Sequence, residues 1–172
     1  DMTDDEWSRV LDVTLNGTLI ASLFIDLLTN ISIAGLDGND TLTVDLSGGD
    51  VIPNAGGITY SGDNPSTGPG DKLIITGGDQ GTVTYNYTNA HDGSIVMSNF
   101  GTVSYTGLEP ISNSGSATDI TFNLPAGPNA ATLGDDGTTG NGLSRLSGAT
   151  FESTDFANPT GSLTINRGNA AD

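Results

Sequence analysis

The chain has 172 residues, enough for one domain with a real core or for a slice of a repetitive one. Acidic residues outnumber basic ones 21 to 4, and a formal net charge of −17 repels phosphate backbones and anionic headgroups, excluding nucleic-acid binding and membrane-surface binding. The absence of cysteine excludes disulfides, zinc–thiolate sites and thiol catalysis.

A surface of this sign attracts divalent cations instead. The 34% apolar content falls in regular alternation, which argues for a folded chain rather than a disordered acidic one. The first dozen residues differ in character from the rest. Thr3-Asp-Asp-Glu6 is a capping-box pattern with Trp7, Val10 and Leu11 on one helical face, so a short helix is expected from about Asp4 to Leu11. We take residues 1–12 as an N-terminal helix or cap and 13–172 as one repetitive β domain, a fragment of a longer protein. The run Leu19 to Leu28 is too short to span a bilayer and carries Asp26, so no membrane insertion is expected.

From Val13 onward a small pattern recurs: apolar, any, apolar, any, usually followed by glycine. It occurs at Val13 to Gly17, Ile31 to Gly35, Ile58 to Gly62, Leu73 to Gly77 and Val103 to Gly107, and at Leu163 to Arg167 without the glycine. Period-two alternation places the first and third positions on a buried face, and the glycine turns the corner. Further strands are expected at Thr82 to Tyr87, Ser94 to Met97 and Asp119 to Leu124. Gly62 to Asp71 and Gly127 to Gly142 read as loops. The uneven separations suit an all-β parallel β-helix, or β-solenoid, with Thr and Asn ladders outside; a β-sandwich is the alternative.

Gly35-Leu-Asp-Gly-Asn-Asp-Thr-Leu-Thr43 follows the nonapeptide calcium repeat G-G-x-G-x-D-x-U-x except at Leu36. Asp37, Gly38, Asn39 and Asp40 are the candidate ligands, through carboxylates and carbonyls suited to Ca2+. Tight-turn chemistry without a metal is the competing reading. Such sites form between stacked copies, and no good second copy stands one coil later. Gly77 to Gly81 and Gly134 to Gly137 are weaker candidates. Ile31 to Asp40 also aligns without gaps on Leu163 to Asp172, marking where a coil restarts.

Two local similarities are set aside. Asp135-Asp136 offers two close carboxylates for acid–base work and resembles one element of the polygalacturonases, but the Gly-His-Gly and Arg-x-Lys elements are absent, and His91 reads as a turn residue. Met2 to Thr18 is similar to a helix segment of short-chain dehydrogenases. Thr14 replaces its asparagine and no Tyr-x-x-x-Lys exists, which excludes hydride transfer by this chain.

Gly35 to Asp45, Tyr105 to Ile111 and Gly161 to Asp172 together resemble the repetitive body of large secreted or cell-surface bacterial proteins with degenerate hemolysin-type calcium repeats. The resemblance implies a non-enzymatic extracellular stalk, adhesin or matrix module. Its expected partners are calcium, neighbouring repeats or further copies of itself, and surface glycans. The alternatives are a carbohydrate-active β-helix enzyme or lectin-like remnant, and a self-assembling filament subunit.

Overall fold

The computed structural model describes residues 28–65, 68 and 70–168. The expected helix from Asp4 to Leu11, the strand at Val13 and the final residues of the Leu163 to Asp172 repeat lie outside these. Among the described residues the protein is all-β, and no helix there is long and apolar enough to cross a membrane.

Among the described residues thirteen strands build two main sheets, and two more form a short pair. The seven-stranded sheet runs β1 (Ile31–Ala34), β4 (Ile58–Ser61), β9 (Gly101–Thr106), β8 (Gly93–Met97), β7 (Thr82–Tyr87), β11 (Asp119–Asn123), β15 (Ser162–Asn166). The six-stranded sheet runs β12 (Thr132–Asp135), β13 (Leu143–Ser147), β14 (Thr154–Ala157), β10 (Leu108–Asn113), β6 (Asp71–Thr76), β3 (Thr41–Asp45). β2 (Asp37–Gly38) and β5 (Asn64–Pro65) form a short parallel pair beside them. Both large sheets are mixed, and neither closes on itself.

The chain crosses from one sheet to the other after each visit. Strands separated by one such pass are parallel: β1 to β4 to β9 in one sheet, and β3 to β6 to β10 to β14 in the other. Antiparallel pairing enters only through β8, which lies between β7 and β9, and through β12 and β13.

Alternation gives each strand one inward face, and the rows stack. Ile31, Ile58 and Val103 share a row, as do Ile33, Tyr60 and Tyr105. Across the core, Val44, Ile75, Asn113 and Phe156 form another. Side chains of the two sheets meet in one cluster. Phe122 stacks on Tyr85 with ring centroids 4.6 Å apart and meets Phe156 of the facing sheet edge-on at 5.0 Å. On the outer side Asn123 Nδ2 donates to Asn86 Oδ1 at 2.8 Å, and Asn166 Nδ2 donates to Asn123 Oδ1 at 2.7 Å. This ladder ties three parallel strands through their side chains.

The repeated apolar pattern marks strands correctly but does not assign them to one sheet. The copies at Ile31, Ile58, Val103 and Leu163 belong to the seven-stranded sheet, whereas Leu73 to Ile75 lies in the six-stranded one. The two stretches read as loops each contain a short strand, β5 and β12.

Candidate metal centre

Among the described residues, the glycine that ends a copy turns the chain from one sheet toward the other. At the first corner Gly35 N donates to Ser61 O at 2.7 Å; after the next strand of the sheet Gly62 N donates to Thr106 O at 2.8 Å. Gly35, Gly62 and Gly107 therefore stand in a column. Leu36 follows in the left-handed region at φ 68° with its side chain exposed, at the position where the nonapeptide pattern has glycine.

Asp37 and Asn39 lie exposed on the turn, Gly38 and Asp40 are half-buried, and Asp37–Gly38 pairs in parallel with Asn64–Pro65. The candidate ligands are thus brought together on one corner. What lies beneath them is a second aspartate. Thr41 is the register partner of Lys72, so Asp40 stands over Asp71. The Asp40 amide donates to Asp71 Oδ1 at 2.6 Å, and the Lys72 amide donates to Asp40 O at 2.8 Å. Each aspartate packs against the corner glycine that precedes it: a Cβ at Gly35 would stand 3.3 Å from Asp40 Cβ, and one at Gly62 would stand 2.8 Å from Asp71 Cβ. The residue in register beneath Asp40 on the neighbouring strand is thus Asp71.

Asp71 is fully buried, and among the described residues its Oδ2 has no hydrogen-bond partner. The hydroxyl of Tyr60, also buried, has none either. Burial raises the Tyr60 hydroxyl above its ordinary pKa, and the negative charges of Asp71 and then Asp40 raise it further. A depression of about 170 Å³ opens beside them, lined in part by Gly35, Asp40, Thr41 and Tyr60. Among the described residues no three His, Cys, Asp or Glu side chains are grouped to hold a metal. A hard cation here would draw on two carboxylates, main-chain carbonyls and a hydroxyl, an oxygen-only set that suits Ca2+.

The weaker candidates are held as turns. Gly77, Gly78 and Gly81 all have φ near 70°, and Asp79 Oδ1 accepts from the Gly81 amide at 3.2 Å. Asp135 Oδ1 accepts from Gly137 N, while Asp136 accepts from Thr138 N and Asn141 Nδ2. Those bonds to the Thr138 amide and then Asn141 hold the Asp136 carboxyl below its ordinary pKa.

A second polar cluster was not visible in the sequence. His91 sits in a turn, its amide donating to Asn89 Oδ1 at 2.8 Å, but its ring reaches further. Nδ1 lies 3.2 Å from Glu109 Oε1, 3.2 Å from Leu108 O and 3.8 Å from Glu152 Oε2. Glu152 is buried, which together with the charge on Glu109 pushes its carboxyl up to about 8 against the pull of the Ser153 amide. From its ordinary value of 4.5 up to about 8, the folded chain holds a proton that the unfolded chain has lost. Stability falls with rising pH across that window on this group's account. Glu152→Gln should flatten that part of the profile and gain up to about 5 kcal/mol over wild type above pH 8, read by denaturant unfolding from pH 4 to 9.

No protein-family model matches the chain, and no curated protein or solved structure matches it.

Proposed function

We propose that the chain is a structural and adhesive module of an extracellular bacterial surface protein, built as a β-solenoid whose turns calcium makes rigid. One observation carries the reading: strands one pass apart lie parallel and in register, with like side chains in rows. Each coil then needs only its neighbours for stability, the economy that suits a long stalk. The antiparallel strands β8, β12 and β13 are insertions within this scheme, and they leave the rows Ile31–Ile58–Val103 and Leu42–Leu73–Ile111 continuous. The asparagine ladder extends the same logic to the outer surface.

Calcium enters at the turn Asp37 to Asp40, where a chain of net charge −17 gains most from a divalent counter-ion. Binding to the folded state alone stabilises by about 2.7 kcal/mol at a hundredfold excess over the dissociation constant. For a domain of this size that amounts to roughly 5–10 °C in the melting midpoint. Neighbouring repeats or further copies, and surface glycans, are the remaining partners in this reading. A thermal melt in millimolar calcium, repeated with chelator, checks the metal part: the midpoint should drop on chelation, and an unchanged midpoint removes calcium from the account.

A further inference from the structure

The corner column holds more oxygen than a turn requires. Asp40 Oδ2 and the Gly62 carbonyl oxygen both face Gly35, 3.3 and 3.4 Å from where a Cβ would stand. One coil on, Asp71 Oδ2 and the Gly107 carbonyl oxygen face Gly62 in the same way, 3.0 and 2.5 Å from that position. The arrangement therefore recurs: a carboxylate oxygen of one coil beside a carbonyl oxygen of the next, over a glycine that leaves the space open. Any side chain at Gly62 would collide with this cradle.

An ordinary turn leaves no buried carboxylate oxygen unpaired. Desolvating such an atom without a partner costs several kcal/mol, so native structures pair it or neutralise it. Asp71 Oδ2 and Tyr60 Oη are two such atoms beside the same corner. The neighbouring Lys72 amide is already committed to Asp40 O, and the Asp40 amide to Asp71 Oδ1. Main-chain donors around the corner are thus used on other oxygens.

We infer that Asp40 and Asp71, with the Tyr60 hydroxyl and the corner carbonyls of Gly62 and Gly107, form a Ca2+ site shared by two consecutive coils. This rests on the calcium reading above but moves the ion from the exposed turn to the interface between coils. Asp71 and Tyr60 become ligands that the nonapeptide pattern does not contain. The ion then joins Thr41–Asp45 to Asp71–Thr76 and acts as a staple between coils.

The test is calorimetric titration with calcium chloride, with thermal melts, on the whole chain and on two variants. Asp71→Asn keeps an acceptor for the Asp40 amide while it removes the charge and the second carboxylate oxygen; Asp37→Asn alters the exposed turn. Expected is a loss of calcium affinity of at least tenfold in Asp71→Asn, with its melting midpoint no longer moved by calcium. Asp37→Asn should stay within about twofold of wild type. Calcium stabilising Asp71→Asn as much as wild type would overturn the shared site while leaving calcium binding at the turn intact. Loss of the effect in Asp37→Asn alone would do the same. No calcium effect on wild type would overturn both readings together.

Discussion

Phe122→Ala is expected to lower the free energy of unfolding by about 3–5 kcal/mol. The ring is fully buried and lies at the centre of the aromatic packing. It stacks on Tyr85 at 4.6 Å and Tyr87 at 6.3 Å within its own sheet, and meets Phe156 at 5.0 Å across the core. Removing it leaves a cavity that neighbours on two sheets would have to fill. They cannot close on it without breaking register, because Phe122 is paired with Tyr85 on one side and Ile165 on the other. Phe122→Leu should recover more than half of the loss, since it restores volume without the ring contacts. Urea unfolding followed by tyrosine fluorescence gives both numbers.

Asn113→Ala should cost about 2–4 kcal/mol for a different reason, the stranding of buried polar groups. Asn113 occupies an inward position of β10, in a row otherwise made of Val44, Ile75 and Phe156. Its amide pairs reciprocally with Gln80, at 2.9 Å one way and 2.8 Å the other, and it also donates to the Tyr85 hydroxyl at 3.0 Å. Its Oδ1 accepts from the Gly115 amide at 3.1 Å. Gln80 and Tyr85 are fully buried, so truncation leaves an amide and a phenol without these partners in a dry core. The network spans both sheets, which makes it a specificity element as well as a stabilising one. The double change Asn113→Leu with Gln80→Leu should cost less than the sum of the single changes, because neither residue then leaves the other unpaired.

The parts of this fold that could be read from the chain are those set by local period. Ile58-Thr-Tyr60-Ser-Gly62 and Val103-Ser-Tyr105-Thr-Gly107 announce a strand, an inward pair and a corner, and each is found so. Which sheet a strand joins is a tertiary matter, and Leu73-Ile-Ile75 shows it: the same pattern lies across the core from Ile58. The sequence does not announce β10 and β14, because Glu109-Pro110 breaks the alternation of one and the inward Thr154 is polar in the other; they are held by pairing with β6 and with each other.

The corner at Gly35 was half legible. Asp40 stands five residues after its glycine, whereas Asp71 stands nine after Gly62, because the loop carrying β5 is longer. A fixed-period search for a second copy therefore misses Asp71, although space places the two aspartates one over the other. His91, Glu109 and Glu152 are farther from being legible. They meet only because a turn, a β10 residue and the approach to β14 converge, and no local motif records that.

In the seven-stranded sheet β1 and β15 stand at opposite ends, and this strand order sets the distance between them. The chain has no cysteine, so two can be introduced and spin-labelled without competition. Ser32 in β1 and Thr164 in β15 are both exposed, and six interstrand spacings separate their strands. At about 4.8 Å per spacing, pulsed electron–electron double resonance should give a distance centred near roughly 30 Å. A distance below about 20 Å, as a sandwich with these two strands side by side would give, contradicts that order.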